Sequence, residues 1–359
     1  MTPIRGAASG EKTALFLIQD PRGGSPSNIF APFTALVRFA LDHSLYALAT
    51  DCWPVLDTAL NVAGGRLQVA RGNPAARFHK GLPHFNLAAC HFGAGDLESG
   101  FRFLAMTGGE HARAGGSAFP VLLGDHELSR QFLIAPLVAD LLPGWAARYH
   151  EITGRTLDEA ELVALIKQVA RRPTDGIQFL LALHRLLKAQ GGGQNDWTRY
   201  LRTRSLAELL VALESMLRRI QVPFSGELQN QFEHMFGELP DYYSSFVDFH
   251  TDFLAIFKPP GGADTRRTPA AVDWSVNEVA TRLVAAPHRE AKAGLACYAA
   301  MRLRNTLLHV LENNLQIYAD EAKCLDMFGI SLAAYRVTMD REGRIVPVLA
   351  RTNEAGSQA

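Results

Sequence analysis

The chain has 359 residues, 48% of them hydrophobic and 20% charged, with a formal net charge of +0. That composition excludes a disordered chain and a uniformly basic nucleic-acid coat, and the length is enough for two domains. Cys52, Cys90, Cys297 and Cys324 lie far apart with no CxxC pair, which excludes zinc ribbons and thioredoxin chemistry; they read as reduced thiols of a cytoplasmic protein.

Residues 1–28 are rich in Gly, Pro and Ser and lack the apolar run of a signal peptide. Within them Thr13–Ile18 (TALFLI) is expected as a short strand or edge. The longest apolar stretch, Ile29 to Trp53, carries Arg38, Asp42 and His43, so it reads as an amphipathic core helix and not as a membrane span. Helical periodicity then dominates to about residue 328, and the expected class is mainly α.

Between Asn73 and Gly109 two helix-length runs flank the turn Gly95-Asp96. The first holds Phe85, Asn86, Leu87, Ala88 and Phe92, and the second Leu97, Gly100, Phe103 and Leu104. The small residues suit close helix pairing, and the unit resembles a tetratricopeptide-type hairpin or, equally, an ordinary αα-hairpin. Helices broken at Gly115-Gly116, Pro136, Pro143 and Pro173 follow. The run AQGGGQND, 189–196, reads as a linker, dividing a helical partner or sensor domain, 29–188, from a second helical domain, 197–330. In the second domain helical runs are expected at Leu206–Gln221, Leu228–Phe236, Tyr242–Phe257, Asp273–Ala286 and His288–Phe328, with the loop Lys258–Pro269 between them. Residues 331–359 read as a tail in which Tyr335–Met339 and Arg344–Leu349 form a β-hairpin around Asp340–Gly343.

The segment that carries chemistry lies within the proline-free run from Arg289 to Phe328. Leu303, Leu307, Leu311 and Leu315 form an apolar stripe, while Asn305, His309, Glu312, Asn313 and Gln316 share a polar one. A histidine on a coherent polar stripe of a largely buried helix points to a polar cleft or a symmetric interface; the bland alternative is a buried histidine satisfied by Asn305 or Asn313. Arg304-Asn305-x-x-x-His309 resembles the RNxxxH signature of the HEPN ribonuclease family, an Arg followed after four to six residues by His. The looser spacing also occurs at Arg38–His43, Arg77–His84, Arg282–His288 and Arg302–His309. The resemblance covers about 197–330 and implies a helical bundle that cleaves single-stranded RNA without a metal or cofactor.

The chemistry this resemblance implies is physically coherent. The 2′-OH of RNA is its own nucleophile. The reaction needs a proton-transfer group, the role that the resemblance gives to His309, and a permanent cation for charge building on phosphorus, the role it gives to Arg304. Asn305 would hold the phosphate or orient His309. Arg302 is the alternative cation, and Asn313 could fix the His309 tautomer. Residues five apart on a helix diverge by about 140°, so two copies sharing a cleft aim the pair better than one, and a homodimer is expected. Arg266 and Arg267, with Arg282, Arg289, Lys292 and Arg302, could line an RNA path, and Arg199, Arg202, Arg204, Arg218 and Arg219 form a second basic cluster. The family includes toxins and antiviral effectors, which implies a defence role. Leu311 stands where one subgroup has a modified Tyr, so control by that route is not expected. The rival readings are a non-catalytic RNA-binding or dimerisation module and a scaffold whose repeat-like half binds a protein. The chain has no GxxxxGK[ST], GxGxxG, HExxH or GxSxG motif.

Overall fold

A computed structural model of the chain describes residues 2–5, 14–17, 30–74, 77–114, 118–190, 195–220, 281–286, 288–310 and 321–356. The described residues are mainly helical. One short antiparallel pair, β1 (Thr2–Arg5) and β2 (Ala14–Leu17), sets Thr2 opposite Leu17 and Arg5 opposite Ala14. Among the described residues no helix is long and apolar enough to cross a membrane.

Two compact units are present, the first comprising 1–132 with 170–177 and the second 133–169 with 178–359. This division falls elsewhere in the chain than the expected linker at 189–196, of which 191–194 lie outside the described residues.

In the first unit, α1 (Ala31–Asp42) and α2 (Tyr46–Arg71) replace the single helix expected from Ile29 to Trp53. The chain turns at Ser44, whose φ of 57° lies in the left-handed region. The break lets Phe33 of α1 fold back onto Trp53 of α2, with ring centroids 5.4 Å apart. Leu87 and Cys90 of α3 (Gly81–Gly93) complete the same core. Burial raises the Cys90 thiol pKa to about 11, so this cysteine stays protonated.

The hairpin expected around Gly95-Asp96 is formed by α3 and α4 (Leu97–Arg113). Gly95 takes φ +78°, and the Asp96 side chain caps α4 by accepting from the Ser99 amide at 3.1 Å. A Cβ on Gly100 would lie 2.3 Å from the Phe92 ring, so the close approach expected of this glycine is real. Short helices α5 (Ala118–Asp125) and α6 (Glu127–Ser129) follow.

Prolines mark three later starts. Pro136 and Pro143 sit in the first turns of α7 (Ala135–Asp140) and α8 (Leu142–Thr153), and Pro173 opens α10 (Pro173–Gln190) after α9 (Glu159–Val169). A missing N–H costs nothing in a first turn, where that donor has no intrahelical partner.

The second unit is a bundle in which α8, α11 (Asp196–Ile220), α12 (Arg289–Val310) and α13 (Glu321–Gly356) pack side by side. Leu142, Trp145, Tyr149 and Ile152 recur at helical spacing and form the buried stripe of α8. Trp145 stacks on Phe328 of α13 with centroids 5.8 Å apart, and Arg148 pairs with Asp326 through Nε–Oδ1 at 2.6 Å. The β-hairpin expected at Tyr335–Met339 and Arg344–Leu349 is not seen, because both segments lie within α13. Tyr335 is buried against Phe179, its hydroxyl donates to the Leu209 carbonyl, and Thr338 Oγ1 donates to the Ala334 carbonyl one turn back. Tertiary burial along one helical face overrides the local alternation that suggested strands.

Candidate functional site

Helix α12 carries the RNxxxH segment, as the absence of proline and glycine from 295 to 310 allows. Leu303 and Leu307 of the expected apolar stripe are buried. The side chains of Arg302, Asn305 and His309 lie outside the described residues, as do Asn313, Arg266 and Arg267.

Arg304 is described, and its environment is specific. Its Nε and Nη2 both reach Glu214 Oε2 on α11, at 2.7 and 2.6 Å. The other oxygen, Glu214 Oε1, accepts from Arg218 Nη2 at 2.6 Å. Glu214 is only 6% exposed, inside a helix otherwise lined with Leu206, Leu209, Leu210, Leu213 and Leu217. One carboxylate thus holds two guanidiniums together, and the three side chains sum to one positive charge. Both arginines are held in place by charge-assisted bonds to this one carboxylate.

Several of the other described basic residues are engaged. Arg199 pairs with Asp196 at 3.6 Å, Arg204 with Glu208 at 3.0 Å, and Lys292 with Glu151 at 2.7 Å. Arg202 is 1% exposed, so it does not belong to an open basic cluster. Arg289 lies over Gly154, where a Cβ would stand 2.4 Å from its guanidinium carbon.

Replacing Glu214 by Gln should remove the charged acceptor that the two arginines share at a nearly buried position. We expect a loss of about 1–3 kcal/mol, below the full cost of breaking a buried pair because Arg218 is largely exposed. Urea denaturation followed by circular dichroism measures this, and an unchanged midpoint would mean that the carboxylate is not needed to hold the pair.

No family model, curated protein or solved structure matches this chain. Its function is therefore argued from its own residues.

Sequence reasoning missed a second polar assembly, in the first unit. A pocket of about 410 Å³ is lined by α2, by the segment from Arg77 to Lys80, and by α3 and α4. Glu110, 6% exposed, is its hub: Oε1 accepts from Arg77 and Arg113 at 3.0 Å each, and Oε2 from the Lys80 amide at 3.2 Å. Lys80 Nζ donates to Asp57 Oδ1 and Asn61 Oδ1, both at 2.6 Å. His84 forms part of the lining and is 4% exposed; among the described residues its Nδ1 has no hydrogen-bond partner, and the buried Nη2 of Arg77 has none either. Burial pushes His84 below its ordinary pKa against the opposing pull of Glu110 and Asp57 and so favours the neutral ring. His79 and His111, ring to ring at 5.1 Å beside the pocket, are shifted in the same direction by burial. The sequence signal for this site was Gly64-Gly65 within α2, followed after Asn73-Pro74 by the run Arg77-Phe78-His79-Lys80. Among the described residues no three His, Cys, Asp or Glu side chains converge as a metal-binding group.

Proposed function

We propose that the second unit is a metal-independent endoribonuclease acting on single-stranded RNA, and that it works as a homodimer. The observation that carries this reading is the arginine pair held by Glu214. It fixes Arg304 by two bonds to Glu214 on the helix that also bears His309, five residues further on. A cation that need not reorganise when charge develops on phosphorus is what such a reaction requires.

In the reaction, the 2′-oxygen bonds to the adjacent phosphorus as its proton passes to a base. The bond from phosphorus to the 5′-oxygen breaks, and that oxygen takes a proton. The products are a 2′,3′-cyclic phosphate and a 5′-OH. His309 is the proton-transfer group and Arg304 the stabilising cation, with Asn305 orienting the phosphate; Arg302 is the alternative cation. On the same reading, expression of the wild type should slow growth of its host, and His309→Ala should relieve this.

A second reading, RNA binding or dimerisation without chemistry, is favoured by the engagement of Arg304 with Glu214, which offsets part of its charge. One assay separates the two. Labelled single-stranded RNA is incubated with the protein in EDTA. We expect cleavage by the wild type with cyclic-phosphate ends, and a loss of at least about a hundredfold in His309→Ala and Arg304→Ala. RNA retention by the wild type with no cleavage, unchanged in His309→Ala, would replace the nuclease reading with the binding one.

A further inference from the structure

The pocket of the first unit has features that packing alone does not explain. Gly64 and Gly65 are adjacent within the long helix α2, where glycine weakens helical structure. Among the described residues no close contact calls for them: a Cβ on Gly65 would meet nothing within 4 Å, and one on Gly64 only the edge of Phe78 at 3.9 Å. Their effect is to keep the wall of the pocket low. The same pocket is lined by groups whose hydrogen-bonding capacity is unfilled among the described residues. Among the described residues, Arg77 Nη2 is a permanent donor without an acceptor, and His84 Nδ1 lacks a partner on a side chain that is 4% exposed. Desolvated polar atoms of this kind are costly unless something completes them.

The charge of the lining sets the sign of what would do so. Arg77, Lys80 and Arg113 face Asp57 and Glu110, which leaves one positive charge with His84 neutral. Leu60, Phe78 and Met106 supply an apolar side. The volume is within the range of small-molecule sites.

We propose that this pocket binds a small oxyanion, a phosphate ester or a carboxylate. Its charged group is received by Arg77 and His84, and its remainder rests against Phe78 and Met106 in the space left by Gly64 and Gly65. This gives the first unit a ligand of its own, independent of the RNA chemistry assigned to the second.

The test is isothermal titration of the full chain with inorganic phosphate, adenosine 5′-monophosphate and succinate in turn, so that phosphate and carboxylate are distinguished. We expect saturable binding of at least one probe. Arg77→Gln should weaken it by about tenfold or more. Gly65→Leu, whose side chain enters open space and favours the helix, should abolish it while the protein melts no lower than wild type. Binding should persist in His309→Ala, which separates this site from the proposed RNA site. Failure of all three probes to saturate would overturn the proposal. So would binding left unchanged by Gly65→Leu, since the anion would then sit elsewhere.

Discussion

Replacing Trp145 by Ala should cost the second unit about 3–5 kcal/mol, the usual penalty for truncating a large aromatic in a closed core. Trp145 is 0% exposed on the inner face of α8 and stacks nearly parallel on Phe328, at an interplanar angle of 11°. Gly144 and Gly329 bring the two backbones close beside it. A Cβ on Gly144 would stand 3.2 Å from Leu325, and one on Gly329 3.3 Å from Arg148 and 3.4 Å from the Trp145 carbonyl oxygen. Backbones already this close have little room to collapse onto a void, which places the expected cost toward the upper part of the range. Trp145→Phe keeps a ring and should lose far less. The measurement is the urea midpoint together with amide exchange on α8 and α13; if Trp145→Ala matched wild type in both, α8 would not be a core element of the bundle.

The second large effect is acid lability at His184. Its imidazole is buried on α10, Nε2 donates to the Leu133 carbonyl at 2.9 Å, and burial lowers its pKa from 6.5 to about 4. Between these values the unfolded chain binds a proton that the folded chain refuses. The stability contributed by the neutral ring is therefore fully present above pH 6.5 and falls as pH drops toward 4. The slope approaches 1.4 kcal/mol per pH unit, and the total loss by pH 4 is about 3 kcal/mol. His184→Gln, which keeps a donor for Leu133 but does not titrate, should remove this component from the difference in urea midpoint between pH 7 and pH 4. Equal acid sensitivity in both proteins would assign the effect to other groups.

How far the fold was legible depends on how local its causes are. The starts of α7, α8 and α10 could be read from Pro136, Pro143 and Pro173, and the α3–α4 hairpin from Gly95, Asp96 and Gly100. Each of these acts within one or two turns through backbone geometry alone. The break at Ser44 was not legible. A non-glycine residue at positive φ is locally unfavourable and is held there by surrounding packing, here the return of Phe33 onto Trp53. The tail was misread for the same reason: Tyr335–Met339 alternates like a strand, and its helical state follows from Phe179 and Leu209, distant in sequence.

The candidate sites divide in the same way. Sequence alone determined the mainly helical class and drew attention to Arg304, because a helical stripe and an Arg–Asn–His spacing are properties of neighbouring residues. Only the tertiary structure supplied Glu214, which lies 90 residues away and joins Arg304 to Arg218. Only the tertiary structure gathered Asp57, Arg77, Lys80, His84 and Glu110 around one pocket. Local preferences fix which segments become helices. Which polar side chains meet depends on how those helices pack, and packing is settled by buried contacts between residues far apart in the chain.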